Sequence, residues 1–267
     1  MNPPETSFPA LEFQGVEKRF AARGRSAEVL AARDIHFSVQ PGEVVSIIGP
    51  SGCGKSTLLN MGAGLAKPSA GVVKVNGEVV SGPNKHVAFM LQKDLLMPWR
   101  TIAQNIAFGL ELRGVKADKR QDIAERLLVQ CHLQGFGHHY PHQLSGGMRQ
   151  RAALARTLAV DPMVLLMDEP FSALDAQTKM ILQQDLAQTV HKERKTVVFI
   201  THDLTEAVAL SDRILVMSER PGTLIEEIKV DLPDRENPMR RRTHPDIAPY
   251  VSRLMGLLKL DSHSLTH

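Results

Sequence analysis

The residues best suited to chemistry lie in four short stretches. The first, GPSGCGKST, comprises Gly49, Pro50, Ser51, Gly52, Cys53, Gly54, Lys55, Ser56 and Thr57. It matches G-x-x-x-x-G-K-[ST], a loop whose backbone N–H groups wrap a phosphate while its lysine reaches the outer phosphates and its hydroxyl reaches a divalent cation. In the second, VLLMDEP, Asp168 and Glu169 follow an apolar run. One carboxylate can hold a cation through water and the next can polarise an attacking water. His202, directly after TVVFIT, and Gln92, at the end of VAFMLQ, could bear on the same reacting group. The fourth stretch, LSGGMRQR, offers the Ser145 hydroxyl and the bare backbone of Gly146 and Gly147 at a helix start, a second anion-friendly loop.

Such groups work only if rigid elements place them together. EVVSII before the glycine loop reads as a strand and STLLNM after it as a helix, the context the phosphate-loop motif requires. VVSII, VLLM, TVVFI and RILVM are short, continuously apolar and rich in branched residues, as expected of strands buried on both faces in a mainly parallel sheet. Helical patterns from Lys55, over Gly147 to Ala159 and over Thr178 to Glu193 separate several of them, which predicts a doubly wound α/β core. The acidic pair, His202 and Gln92 would then stand at carboxyl ends of strands, where such sheets bind ligands. Lys93 to Gln143 carries helical periodicity without a strand and reads as a helical insertion. LEFQGVEKRF and AARDIHFSV read as antiparallel strands at a sheet edge, and the chain from Asp231 as loop until VSRLMGLLKL.

Composition sets the outer limits. The 267 residues, 43% hydrophobic and 23% charged, suit a globular domain with an insertion or tail. A formal charge of +3 is too small to argue for nucleic acid as a partner. Arg240, Arg241 and Arg242 read as a solvated charged turn. Two cysteines form no disulfide framework and fit a reducing compartment, with Cys53 a small loop residue. MNPPETSFPA lacks a secretory pattern, and no apolar run approaches the roughly 20 residues a membrane helix needs, so work at a membrane would pass through partners. His138, His139 and His142 lack a companion ligand set and read as a polar loop.

In order, GPSGCGKST, Gln92, LSGGM, VLLMDEP, SALD and His202 resemble the nucleotide-binding subunit of ATP-binding cassette (ABC) transporters, over roughly Leu11 to Pro233. The resemblance implies a P-loop NTPase α/β core with a mainly parallel sheet, an antiparallel β edge subdomain and an inserted helical subdomain. That places the cassette at residues 11–233, the helical subdomain at about 93–150 and a C-terminal tail at 234–267. It implies ATP and Mg²⁺ as cofactors. Lys55 would hold phosphates; Ser56, Gln92 and Asp168 would serve the metal; Glu169 would be the catalytic base and His202 a switch histidine. Phe20 would stack on adenine, with burial in the core as the competing reading. By the same resemblance LSGGM and Asp175 would act across a head-to-tail homodimer that sandwiches two ATP molecules. Arg149 and Arg151 read as helix-surface or interdomain residues rather than catalytic fingers.

LQKDLLMPWRTIAQNIAFGLELRGV and ERPGTLIEEIKVDLPDREN resemble the subgroup importing nitrate, taurine and alkanesulfonates. That implies an ATP hydrolase at the cytoplasmic face of the plasma membrane, working with permease subunits and a periplasmic or lipoprotein solute-binding protein. Leu95 to Trp99 would form a groove for a permease helix, or else pack inside the insertion. The rival reading is an ABC-type ATPase of lipoprotein or cluster mobilisation or DNA repair. The coiled-coil insertion or tandem cassettes of the repair proteins are not seen in this sequence.

Overall fold

In the computed structural model, which describes residues 8–21 and 28–260, two sheets and a helical lobe surround the phosphate loop. Most of MNPPETSFPA, residues 1–7, lies outside the described residues. The elements in chain order are β1 (Leu11–Phe20), β2 (Val29–Val39), β3 (Val44–Ile48), α1 (Lys55–Gly62), β4 (Ala70–Val75), β5 (Glu78–Val79) and β6 (Val87–Met90). There follow α2 (Ile102–Leu112), α3 (Ala117–Gln130), α4 (Gly146–Ala159), β7 (Val164–Asp168), α5 (Ala176–Glu193), β8 (Thr196–Ile200), α6 (Leu204–Leu210), β9 (Arg213–Met217), β10 (Leu224–Lys229), α7 (Pro238–Arg242) and α8 (Ile247–Leu257).

The main sheet has the order β10-β9-β3-β8-β7-β6, parallel from β9 to β6, with β10 antiparallel at the edge. Every residue of β3, β7 and β8 is buried, which is why these strands read as unbroken apolar runs. Their side chains alternate between two cores: Val164, Leu166, Val198 and Ile200 meet α1 and the second sheet, while Leu165, Met167, Val197 and Phe199 meet α4 and α5.

LEFQGVEKRF and AARDIHFSV are antiparallel strands, but they are no edge of the main sheet. They form a separate four-stranded sheet of order β2-β1-β4-β5. The alternation in Leu11, Phe13 and Ile35, Phe37, Val39 gives this sheet one apolar face, and stacked Phe13 and Phe37 rings 4.5 Å apart help close it over α1. Strands β4, β5 and β10 had no clear sequence signal, being short, half-exposed or charged on one face.

The helical lobe packs α2, α3 and α4 around Ile102, Ile106, Leu127, Leu128 and Leu144. Thr101 starts α2 with a reciprocal capping box to Gln104. Buried Asn105 accepts from the Met97 N–H at 2.7 Å and donates to the Met97, Arg100 and Thr101 carbonyls, fixing the loop that carries Leu95 to Trp99. Helix α4 serves both lobes: Ala152 and Ala155 join the helical core, and Ala153 and Leu154 join the core beneath the sheet.

The end of the chain corrects another expectation. Arg240 to Arg242 form most of α7 rather than a solvated turn. Arg241 is only 3% exposed and donates to the carbonyls of Pro233, Ser211 and Leu232 at 2.9, 2.9 and 2.8 Å. The stem and fork of arginine let one side chain staple the end of α6 and the loop after β10 through three carbonyls. Leu254 of α8 is fully buried beside Ile228, Val230 and Ile214.

Candidate nucleotide site

The strand order puts the chemistry-bearing residues in a row at one edge. The carboxyl end of β3 leads into the phosphate loop, that of β8 into Thr201 and His202, that of β7 into Asp168 and Glu169, and that of β6 into Gln92. Strand β3 is the switch point, because the chain departs from it to build β6, β7 and β8 on one side and β9 on the other. Ligands of open α/β sheets bind at such a crevice.

A cleft of about 730 Å³ opens there. Gly49, Ser51, Gly52, Gly54, Lys55, Ser56 and Thr57 line its floor, Gln92, Glu169 and His202 one wall, and Phe20, Val29 and Ala31 the other. The glycine at position 54 is forced: its φ is 106° and a Cβ there would stand 2.9 Å from the Ala31 carbonyl oxygen. Lys55 heads α1, and its ammonium donates to the Gly49 and Pro50 carbonyls at 2.7 and 2.8 Å, so the charge is held over the loop it belongs to. Cys53 is buried and contributes its small volume. Phe20 is 46% exposed at the end of β1, with the Lys18 ammonium 5.3 Å from its ring centre. Burial of Phe20 in the core is thereby excluded.

Asp168 is 6% exposed, and burial pushes its carboxyl above the ordinary value; a hydrogen bond with Ser56 and the Lys55 charge pull it back, while neighbouring Glu169 adds to the rise. Glu169 is held differently. Its Oε2 accepts from Gln92 Nε2 at 3.0 Å and lies 3.7 Å from His202 Nδ1. Its backbone is left-handed, φ 49°, and pinned: the N–H donates to the Ile200 carbonyl at 3.1 Å, and the carbonyl accepts from Gln150 Nε2 and Ser172 Oγ, each at 3.1 Å. Strained backbone of this kind persists where its surroundings over-determine it.

Ser145, Gly146, Gly147 and Asp175 are not among the cleft-lining residues of the chain. Ser145 caps α4, its Oγ accepting from the Met148 N–H at 3.2 Å, and the two glycines form the helix's first residues, whose N–H groups have no partner within the helix. Asp175 caps α5, and the hydrogen bonds it accepts from Thr178 hold its carboxyl below the usual range. A Cβ on Gly147 would stand 3.2 Å from the Leu174 side chain, so the two capped helices start side by side. Arg149 engages Asp94 and the Leu144 carbonyl, and Arg151 the His132 carbonyl, both away from the cleft.

Two residues escaped sequence reasoning. Arg220, beyond the carboxyl end of β9, lines the cleft and donates twice to the Gly52 carbonyl, at 3.1 and 2.9 Å; its position past a buried strand was the available signal. Buried Gln150 donates to the Glu169 carbonyl and accepts from the Ala173 N–H at 2.9 Å, tying α4 to the acidic loop. Nothing in MRQR distinguishes it from a surface glutamine.

Residues 32–172, more than half of the chain, match the ABC transporter family. The chain belongs to that family. Curated relatives of this ABC protein include an uncharacterized ABC transporter ATP-binding protein of Methanocaldococcus jannaschii, 46% identical over 93% of this chain and 91% of that one. The nitrate import ATP-binding protein NrtD of Synechocystis is 41% identical over 93% and 95%, and the taurine import ATP-binding protein TauB of Yersinia pestis 43% identical over 77% and 80%. Among solved structures, the dimeric post-hydrolysis state of the ATP-binding cassette MJ0796 bound to ADP and Pi superposes with a TM-score of 0.76 at 32% identity, covering 82% of this chain and 98% of that one. The protein is therefore an ABC ATP-binding subunit, its fold that of an ABC ATPase, and its ATP hydrolysis is coupled to transport. No helix among the described residues is long and apolar enough to cross a membrane.

Proposed function

We propose that the chain is the ATP-hydrolysing subunit of an importer for a small solute such as nitrate, taurine or a sulfonate, acting as a homodimer that closes on ATP and opens after hydrolysis. The observation that carries the hydrolytic reading is Glu169: a partly buried carboxylate held by Gln92 and facing His202 at the mouth of the phosphate-loop cleft. In this reading Phe20 stacks on adenine, and the backbone from Gly49 to Thr57 with Lys55 holds the phosphates. Glu169 takes a proton from the water that attacks the γ-phosphate, the bond to the β,γ-bridging oxygen breaks and ADP leaves, while Gln92 and His202 orient the carboxylate and the γ-phosphate. The hard oxygens of Ser56 and Asp168, with Gln92, suit Mg²⁺, and a buried carboxyl pushed upward by desolvation is one that a cation would stabilise. Mg²⁺ held there would neutralise charge on the β- and γ-phosphates.

Ser145, Gly146, Gly147 and Asp175 serve the partner's nucleotide in this proposal. Their absence from the cleft of their own chain, and the Gly146 and Gly147 N–H groups at the start of α4, which have no partner within the helix, support it. The solute class rests on the nitrate and taurine relatives. A surface for permease subunits is supported by Leu95 and by Trp99, 73% exposed on the loop Asn105 braces. The subunit would sit peripherally on the cytoplasmic face of the membrane, a solute-binding protein serving the other face.

Glu169→Gln keeps the hydrogen bond from Gln92 and removes the base. Turnover should fall about 10² to 10⁴-fold with ATP affinity retained and the dimer trapped closed; unchanged turnover removes Glu169 from the mechanism. Mixing Ser145→Arg and Lys55→Ala chains should restore one intact composite site per heterodimer. Mixed dimers no more active than either parent would refute the cross-subunit assignment.

A further inference from the structure

Behind the His202 loop lies a polar chain, buried at Gln183 and Glu206 and half-buried at its other members, that the site's chemistry does not use. Asp203 caps α6, accepting from the Glu206 N–H at 2.9 Å, and its own N–H donates to Thr201 Oγ1 at 3.0 Å. From α5, the Lys179 ammonium stands 2.9 Å from Asp203 Oδ2 and 2.6 Å from Glu206 Oε2. Glu206, 2% exposed, also accepts from Gln183 Nε2 at 2.8 Å. Gln183 is fully buried, and its Oε1 accepts from Arg242 Nη2 of α7 at 2.9 Å.

The path Arg242, Gln183, Glu206, Lys179, Asp203 thus joins the C-terminal segment to the residue next to His202. Its charges balance, two carboxylates against two cations. Burial works to raise the Asp203 carboxyl, but the Lys179 hydrogen bond, the Glu206 N–H and the charges of Lys179 and Arg242 outweigh it and hold it below the usual range. Arg242 is therefore felt at Asp203 through space as well as through the hydrogen-bonded path.

A charge cluster withdrawn from water is a weak source of stability, since apolar residues of the same volume often serve as well; what it fixes is geometry. Geometry is what His202 needs. Its side chain is exposed and stands near Glu169 only because the backbone of Thr201 and Asp203 is anchored on either side.

We propose that the C-terminal segment takes part in ATP turnover: α7, through Arg242 and this polar chain, positions the loop that holds His202 against Glu169. The inference rests on the reading of His202 and Glu169 given above. Lys179 and Arg242 are positioning residues, touching neither nucleotide nor reacting water.

The test is steady-state ATPase activity of the full-length chain carrying Lys179→Met, Lys179→Arg, Arg242→Met or His202→Ala, with Arg240→Met as control because that exposed side chain pairs with Asp234 at the surface, outside the polar chain. Misplacing a catalytic group by a fraction of an ångström costs rate rather than binding, so Lys179→Met and Arg242→Met should lower kcat about tenfold with KM for ATP unchanged. Lys179→Arg should restore kcat, since a guanidinium can still bridge both carboxylates. Lys179→Met leaves Glu206 a lone buried charge and can yield a chain that does not fold; the double variant Lys179→Met/Glu206→Gln removes that charge and should show the same loss of kcat. If His202→Ala lowers kcat while Arg242→Met matches Arg240→Met, the inference fails and the reading of His202 stands. If His202→Ala turns over like the parent, the reading itself fails. A rise in KM equal to the fall in kcat, or no rescue by Lys179→Arg, also overturns the positioning role.

Discussion

The left-handed backbone of Glu169 makes a prediction that separates stability from activity. A non-glycine residue at φ 49° carries about 1–2 kcal/mol of steric strain, and glycine carries none. Glycine also gains freedom in the unfolded chain, worth about 0.5–1 kcal/mol against alanine. Both Glu169→Gly and Glu169→Ala lose the hydrogen bond from Gln92, a term of about 1 kcal/mol that cancels between them. The difference leaves the glycine variant more stable than the alanine variant by roughly 0.5–1 kcal/mol, the reverse of the order found in ordinary helices and strands. Urea melts of the two variants measure this directly, and in heat the gap corresponds to about 1–4 °C for a chain of this size. Both should lose about 10² to 10⁴-fold in turnover, because neither has a base at that position. An alanine variant as stable as the glycine variant, or more so, would mean that the Ile200, Gln150 and Ser172 contacts do not hold residue 169 in a strained state, and the argument from strain to function would fail.

How far the sequence leads depends on what each element must do. Strands β3, β7 and β8 were legible because burial on both faces demands apolar runs, and the phosphate loop because its path demands glycines at fixed spacing. Once those strands lie parallel, Asp168, Glu169, His202 and Gln92 fall on one edge by topology alone. The antiparallel strands were legible as strands, but not as a separate sheet, because pairing partners such as β4 lie some 60 residues away and period-two alternation says nothing about which sheet a strand joins. Arg241 does not read as buried because arginine is usually solvated; only the end of α6 and the loop after β10, which leave three carbonyls facing α7, make its burial favourable. Gln150 and Arg220 act through carbonyl contacts made in three dimensions, so their residue types alone carry no signal.

Three further predictions concern binding and stability. Phe20→Ala should weaken ATP binding about fivefold or more, the worth of one aromatic ring on a base, and Phe20→Tyr should not; equal affinities by titration calorimetry would take Phe20 out of the nucleotide site. Arg241→Met leaves the Ser211, Leu232 and Pro233 carbonyls without their donor and, after recovery of the cost of burying the charge, should destabilise the chain by about 3 kcal/mol in urea melts; a loss under about 1 kcal/mol would mean water replaces the guanidinium. Cys131 gives a pH signature. Burial, with a smaller push from Asp185, raises its thiol from 9.0 to about 12, so in the folded chain it stays protonated where the unfolded chain has lost the proton. Between about pH 9 and 12 the unfolded state therefore binds fewer protons, and stability must fall as pH rises, at most about 1.4 kcal/mol per unit. Below pH 9 both states hold the proton and the term vanishes. Cys131→Ala removes this slope whatever it costs in packing, so comparing urea midpoints of parent and variant at pH 8 and pH 10.5 isolates it. The parent should lose about 2 kcal/mol more than the variant over that interval. Equal losses would mean that the thiol ionises as readily inside the helical lobe as outside it, which burial against Leu127 and Leu128 does not allow.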